Sequence, residues 1–210
     1  MIEFEPMTAN QIKAIIFDIG GVLVRTMDRN PREKLAEKFG LTYKELDRIV
    51  FRSPTANQAT KGEIKEEEHW RFISKFFHLD KTGTQNFYED FWGGDQLNGE
   101  IISLIKMLKN KYQMGILSNA WSGARKFMTK RYGFLDLFNV VGFSAEIKIA
   151  KPDAHAYLWI LERMNAIPEQ TLFIDDFIEN IESARELGIH SIHYKDNNQL
   201  ISAFSHYLTD

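Results

Sequence analysis

The chain has 210 residues, of which 44% are hydrophobic, a formal net charge of −3 and no cysteine. This length suits one core domain of roughly 100–200 residues plus a small accessory domain, and the apolar fraction excludes a disordered or collagen-like chain. The lack of cysteine excludes disulfides, thiolate metal sites and cysteine nucleophiles, and the charge gives no general basic field for nucleic acid.

The first predicted element is a buried strand at residues 12–17, which is followed by Asp18 and by the glycines Gly20 and Gly21. Similar short apolar runs predict four more strands, and helical patterns of about 10–15 residues lie between them. This alternation predicts an α/β fold with a parallel sheet and right-handed crossovers. The later strands are expected at residues 114–117, 140–143, 171–174 and 190–193, and the helices at 99–110, 122–132, 153–164 and 178–187.

Residues 25–92 interrupt this alternation, because no convincing strand is evident there. The pattern instead predicts helices, which Gly40, Pro54 and Gly83 separate. We therefore expect a small all-helical domain at residues 25–93, and an α/β core that combines residues 1–24 and 94–210. The helices are expected at residues 31–39, 42–51, 60–77 and 84–91, and the linkers between the two domains at 24–28 and 93–97.

Polar residues follow the predicted strands at the edge where ligands bind in parallel α/β sheets. Three carboxylates, one hydroxyl and one amine are expected to meet there. The strand ends provide Asp18, Ser118 with Asn119, Lys151 in the loop after the third strand, and Asp175 with Asp176.

These groups suit phosphoryl transfer, in which positioning and charge neutralisation do most of the catalysis. Asp18 could attack phosphorus and form an aspartyl phosphate. Asp18 and Asp176, with Asp175 beside them, could hold Mg²⁺, a cation that prefers oxygen ligands. Lys151 could neutralise Asp18 and the phosphoryl oxygens, and Ser118 could donate a hydrogen bond to one of those oxygens.

Four segments occur in a fixed order at these strand ends: F-D-I-G-G-V-L at residues 17–23, L-S-N at 117–119, K-P-D at 151–153 and I-D-D-x-x-x-N at 174–180. Together they resemble the motifs of the haloacid dehalogenase-like (HAD) hydrolase superfamily. The helical insert resembles the cap of its subfamily I. This resemblance implies a Rossmann-like core, dependence on Mg²⁺ and phosphatase activity on small phosphorylated metabolites.

The resemblance also assigns roles to individual positions. Asp18 matches the nucleophile, and Ser118 matches the phosphate-binding hydroxyl, which Asn119 supplements through its backbone N–H. Lys151 matches the lysine of the third motif. Metal ligands are matched by Asp18, by the backbone carbonyl of Gly20, and by the pair Asp175 and Asp176, of which Asp176 is the expected direct ligand.

Gly20 departs from the family pattern, because phosphatases of the family usually carry a second aspartate at this position. That aspartate protonates the leaving group and then activates water, and such a group contributes ~10²–10⁴-fold to the rate. Three interpretations stay open. In the first, the chain is a phosphatase that favours good leaving groups or takes an acid such as Asp28 or His69 from the cap. In the second, it is a 2-haloacid dehalogenase, although the acidic pair argues against this. In the third, it is a non-catalytic binding module.

The expected partner is a small phosphorylated metabolite, whose identity the cap sequence does not encode. Scattered Lys and Arg residues without a recognised motif predict no nucleic-acid partner. Residues 1–10 do not resemble a secretory leader and no apolar run of about 18 residues occurs, so we expect a soluble, cytoplasmic protein without membrane contact. No oligomeric state follows from the sequence.

Overall fold

The structure is a computed structural model that describes residues 12–208. Five described strands form one parallel sheet and two form a separate antiparallel ribbon, so the predicted α/β fold with a Rossmann-like sheet is confirmed. In chain order the strands are β1 (Ala14–Phe17), β2 (Val24–Thr26), β3 (Asp95–Leu97), β4 (Gln113–Ser118), β5 (Val140–Phe143), β6 (Thr171–Asp175) and β7 (His190–His193). The order in the sheet is β5-β4-β1-β6-β7, and the ribbon joins β2 to β3.

Strand β1 lies at the centre of the sheet and is buried on both faces. Ile15 and Phe17 belong to the hydrophobic cluster on one face, and Ala14 and Ile16 belong to the cluster on the other. Burial on both faces explains why this strand is continuously apolar in sequence. Because β4 and β6 flank β1 on opposite sides, the carboxyl end of β1 lies at the point where the strand order reverses, where ligands of such sheets bind.

Within residues 12–208, five α-helices lie between β2 and β3, and six follow β3. The first group comprises α1 (Asn30–Lys38), α2 (Tyr43–Arg52), α3 (Pro54–Thr60), α4 (Glu66–Phe76) and α5 (Lys81–Trp92). The second comprises α6 (Gly99–Leu108), α7 (Ala124–Arg131), α8 (Ser144–Ile147), α9 (Ala154–Met164), α10 (Ile178–Glu186) and α11 (Asn197–Tyr207). Among the described residues, no helix has the length and apolar character needed to cross a bilayer.

Helices α1–α5 enclose a hydrophobic cluster of their own, separate from the two clusters that flank the sheet. Trp70, Phe87 and Phe91 are buried in it, whereas Phe76 is 51% exposed. One member, Trp121, comes from the loop between β4 and α7 and inserts among these helices. The α/β part of the chain therefore contributes a side chain to the packing of the helical insert.

Two predictions about the insert were wrong. The expected absence of a strand after residue 24 overlooked β2, a three-residue strand that pairs with β3 where linkers were expected. The helix predicted at residues 60–77 begins only at Glu66, because the chain turns between Thr60 and Glu66 and Gly62 adopts φ +64° there. Pro54, expected as a breaker, instead begins α3 behind the cap residue Ser53.

Candidate active site

Asp18 is the first residue after β1, and its side chain is buried at the carboxyl end of that strand. Its backbone N–H donates to the carbonyl of Ile174 in β6, 2.9 Å away. The chain then turns sharply, and Gly21 N–H donates to the carbonyl of Val24. Gly21 has φ +74°, and a Cβ atom there would overlap the carboxylate of Asp176. Glycine at position 21 therefore allows the turn to pass directly against Asp176.

Three carboxylates meet at this turn. Asp18, Asp175 and Asp176 each offer one oxygen atom, and these atoms lie within 4.8 Å of one another. The Nζ atom of Lys151 lies 2.9 Å from Oδ1 of Asp18 and 2.6 Å from Oδ2 of Asp175. Three carboxylates and one ammonium carry a formal charge of −2 (three negative, one positive). A largely buried cluster with this charge requires a cation or protons, and an all-oxygen donor set fits Mg²⁺.

The two acids at the end of β6 have different surroundings. Asp175 is fully buried, and its oxygens accept hydrogen bonds from Lys151 Nζ, from the Phe177 backbone N–H at 2.8 Å, and from Asn180 Nδ2 at 3.0 and 3.1 Å. Among the described residues, Oδ1 of Asp176 is buried without a hydrogen-bond partner. Asp176 therefore keeps a free ligand atom, whereas Asp175 is occupied in holding Lys151.

The electrostatics follow from burial and from the mutual repulsion of the acids. Burial raises the pKa of Asp18; Lys151 and a hydrogen bond from Ser118 oppose this, and Asp175 adds to it. Burial also raises the pKa of Asp176 to about 7, with Asp18 and Asp175 acting in the same direction. Burial alone would lower the pKa of Lys151, but Asp18 and Asp175 outweigh it and raise that pKa, so the ammonium stays charged.

Ser118 and Asn119 lie at the end of β4, beside this cluster. Ser118 is buried, and its hydroxyl is among the neighbours that lower the pKa of Asp18. The Asn119 side chain forms a reciprocal pair with the backbone of Lys151: its Nδ2 donates to the Lys151 carbonyl at 2.8 Å, and its Oδ1 accepts from the Lys151 N–H at 2.8 Å. Asn119 thus fixes the Lys151 loop against β4 through its side chain, a contact that the sequence did not predict.

Gly20 is exposed at the rim of the site. A Cβ atom built there would meet only Oδ2 of Asp18, at 3.9 Å, so a side chain at this position fits beside the carboxylate of Asp18.

Asp28 and His69, the two residues proposed to replace the missing aspartate, do not contact the carboxylate cluster. His69 is fully buried in the helical insert, where its Nδ1 lies 2.9 Å from Thr55 Oγ1 and burial lowers its pKa to about 4. Asp28 is exposed and its Oδ1 accepts from the Asn30 N–H at 2.9 Å. Within residues 12–208, neither makes a hydrogen bond or ion pair to the carboxylate cluster.

The sequence underrated two residues near the site. Asn180, the last residue of the fourth motif, was given no catalytic or binding role from the sequence; it is buried against Asp175, and its own carbonyl accepts from Tyr157 Oη at 2.9 Å. Its spacing after the acidic pair was the available signal. Trp121 was not singled out, although its Nε1 donates to Thr60 Oγ1 at 3.2 Å and fastens the helical insert near Ser118.

Comparisons with known sequences find matches over most of the chain. A family model described as a haloacid dehalogenase-like hydrolase matches residues 12–188. A phosphorylated carbohydrates phosphatase of Thermotoga maritima is 27% identical over 193 residues, which covers 87% of this chain and 84% of that protein.

Two solved structures have the same fold. A predicted HAD-like family hydrolase from Porphyromonas gingivalis superposes with a TM-score of 0.77 at 24% identity, covering 93% of this chain and 97% of that one. A wild-type HAD family enzyme from Bacteroides thetaiotaomicron, in complex with magnesium and inorganic phosphate, has a TM-score of 0.73 at 26% identity, covering 88% of this chain and 94% of that one.

Proposed function

The chain belongs to the haloacid dehalogenase-like hydrolase family, and we propose that it is a Mg²⁺-dependent phosphatase acting on a small phosphorylated metabolite through an aspartyl phosphate on Asp18. The observation that carries this proposal is the cluster of buried Asp18 and Asp175 with half-buried Asp176, in which Lys151 lies between the first two. A relative that is a phosphatase of phosphorylated carbohydrates, and a structural neighbour that binds magnesium and phosphate, support it.

The metal ligands in this proposal are the carboxylates of Asp18 and Asp176 and the backbone carbonyl of Gly20. The fit rests on the free Oδ1 of Asp176 and on the uncompensated negative charge of the cluster. When bound, Mg²⁺ neutralises the carboxylates and the phosphoryl oxygens, which would otherwise repel one another. Asp175 has no remaining hydrogen-bonding capacity for this task, so its role is to orient Lys151.

The remaining roles follow from the positions of the side chains. Asp18 attacks phosphorus with one carboxylate oxygen while Lys151 holds the other in place. Ser118 is close enough to Asp18 to donate to a phosphoryl oxygen, and the backbone N–H of Asn119 supplements it. Lys151 stabilises the negative charge that is shared between Asp18 and the transferred group.

The substrate preference follows from Gly20, which offers no side chain to protonate a leaving group. We infer that acyl, aryl and anomeric phosphates are preferred, because their leaving groups depart as stable anions. His69 does not supply the missing acid in this arrangement, since it is fully buried. Asp28 is exposed and caps its own turn.

The helical insert at residues 25–93 acts in this proposal as a cap that selects the substrate, joined to the core at residues 1–24 and 94–210. Its separate hydrophobic cluster supports the division. Its contacts with the loop after β4, where Glu66 Oε2 accepts from the Gly123 N–H at 2.9 Å, support its place over the site.

A panel of phosphate esters with graded leaving groups, assayed with Mg²⁺ and with excess chelator, tests the proposal. We expect phosphate release that requires Mg²⁺ and is fastest for acyl and aryl phosphates. Absence of release from every ester, or release that the chelator does not reduce, would contradict it. Chloride release from a 2-chloroacid in chelator would instead favour the dehalogenase.

A further inference from the structure

We propose that the aspartyl phosphate on Asp18 is long-lived and is the main enzyme species during turnover, because the site offers no free side chain to deprotonate the attacking water. This inference rests on the proposed phosphatase function and specifies which of its two chemical steps is slow. The argument depends on where each proton goes, and on the contacts that occupy every candidate base.

The first step needs no base. An oxygen of the Asp18 carboxylate forms a bond to phosphorus while the bond between phosphorus and the leaving oxygen breaks. An acyl or aryl leaving group takes the bonding electrons and departs as an anion. With such a substrate, the absence of an acid at Gly20 costs little.

The second step does release a proton. Water forms a bond to phosphorus, the bond between phosphorus and the Asp18 oxygen breaks, and Asp18 recovers its carboxylate. The attacking water must lose a proton to a base in the site or to the solvent. This requirement is the same for every substrate, since the leaving group has already gone.

Each charged residue around Asp18 already binds another group or is a proposed metal ligand. Lys151 is held by two carboxylates with its pKa raised, so it carries no free electron pair. Both oxygens of Asp175 accept hydrogen bonds from Lys151 and Asn180, and Asp175 has no exposure to solvent. Asp176 is the proposed metal ligand. None of them is free to accept a proton from water.

The neutral residues do not supply a general base for the attacking water either. Ser118 carries only a neutral hydroxyl, which acts on Asp18 by lowering the pKa of that carboxyl. His193 lies near the acidic pair, where its Nε2 donates to the backbone carbonyl of Asp176 at 3.0 Å, and neither of its ring nitrogens pairs with a carboxylate of the cluster. His69 has a ring nitrogen without a partner but is sealed in the helical insert, where its ring centroid lies 4.6 Å from that of Trp121. Of residues 12–208, none with a free basic group therefore forms a hydrogen bond or an ion pair with Asp18.

The lack of a general base affects the rates of the two steps differently. A missing general base slows the second step by roughly 10²–10⁴-fold, while the first step is hardly affected for good leaving groups. The phosphorylated enzyme then accumulates. The value of kcat becomes the same for all good substrates, because each shares the same slow hydrolysis, while kcat/KM still varies with the leaving group.

The experiment uses the full chain with Mg²⁺ and p-nitrophenyl phosphate or acetyl phosphate as the phosphate donor, quenched in acid at short times. We expect a burst of nitrophenolate close to stoichiometric with the protein. The intact mass should rise by one phosphoryl group, and neutral hydroxylamine should remove that group, as it does from an acyl phosphate. The two donors should give equal kcat.

Two variants at position 20 separate the effect of a basic group from the effect of a larger side chain. Gly20→Asp places a carboxylate next to Asp18, where there is room for it, and should abolish the burst while raising the steady-state rate at least tenfold. Gly20→Asn has nearly the same size without the basic group and should keep the burst. Thermal melts of both variants confirm that they are folded.

The outcomes distinguish this inference from the proposed function. Linear product release with Mg²⁺ and no phosphorylated protein would overturn the long-lived intermediate and leave the phosphatase intact. Absence of both turnover and phosphorylation with every donor would overturn the phosphatase, and this inference with it. A burst that survives in Gly20→Asp at an unchanged steady-state rate would also overturn it.

Discussion

Replacing Lys151 by methionine tests whether this lysine balances the carboxylate cluster. Its side chain is 1% exposed and lies between Asp18 and Asp175, which are 9% and 0% exposed. Methionine has a similar length but no charge, so the variant leaves two buried carboxylates without their common partner. Removing one partner of a buried ion pair costs about 3–5 kcal/mol, because the remaining charge is uncompensated.

For a chain of this length we therefore expect the free energy of unfolding to fall by about 3–5 kcal/mol and Tm to fall by about 6–20 °C. The assay is urea and thermal denaturation in chelator, since Mg²⁺ would partly replace the missing positive charge. The exposed residue Lys126 provides the control, because Lys126→Met should change the free energy by no more than about 0.5 kcal/mol.

A double variant makes the test specific. Adding Asp175→Asn to Lys151→Met removes one of the two uncompensated charges, so it should recover part of the lost stability, by about 1–2 kcal/mol. If Lys151→Met lowers the free energy by less than about 1 kcal/mol, or if the second substitution lowers it further, the charge balance inferred for this cluster is wrong.

Three further predictions concern other parts of the chain. Gly21→Ala should lower both stability and Mg²⁺ affinity, measured by melting and calorimetric titration, because its φ is +74° and its methyl group would overlap Asp176; unchanged affinity would contradict the close approach. Burial lowers the pKa of His69 to about 4, below its unfolded value of about 6.5, so the unfolded chain binds the extra proton in this range. The free energy of unfolding should therefore decline by up to about 3 kcal/mol as pH falls from 6.5 to 4. If a His69→Gln variant shows the same pH dependence as the wild type, His69 is not the source of the decline. Trp121→Ala should cost about 3–5 kcal/mol by emptying part of the helical cluster, in a urea melt; a loss below 1 kcal/mol would mean that the insert does not depend on this anchor.

The sheet was predictable because β1, β4 and β6 are buried runs that end in polar residues. The convergence of Asp18 and Asp175 at one edge followed from the parallel arrangement alone, since the carboxyl ends of parallel strands share an edge. Strands β2 and β3 were not predictable, because three residues give too short a pattern to distinguish a strand from a linker.

The internal contacts of the site were also beyond the sequence. The sequence predicted that Lys151 neutralises Asp18, but lysine is usually exposed, and its burial and its second partner Asp175 were not predicted. The resemblance already favoured Asp176 over Asp175 as the metal ligand, but the physical reason, that Asp176 keeps a free oxygen, is visible only in the structure. That depends on Asn180 and on the turn at Phe177, which fold against Asp175 only in three dimensions.

The central claim is that Asp18 is the nucleophile of a phosphatase, and the steady-state rate of Asp18→Asn on the best substrate of the wild type tests it most directly. The matched control is Asp136→Asn, because Asp136 is an exposed aspartate between strands β4 and β5 of the sheet. The account predicts that Asp18→Asn folds, loses at least about 10³-fold in kcat and forms no phosphorylated protein, while Asp136→Asn retains the wild-type rate. Turnover by Asp18→Asn within tenfold of the wild type would contradict it.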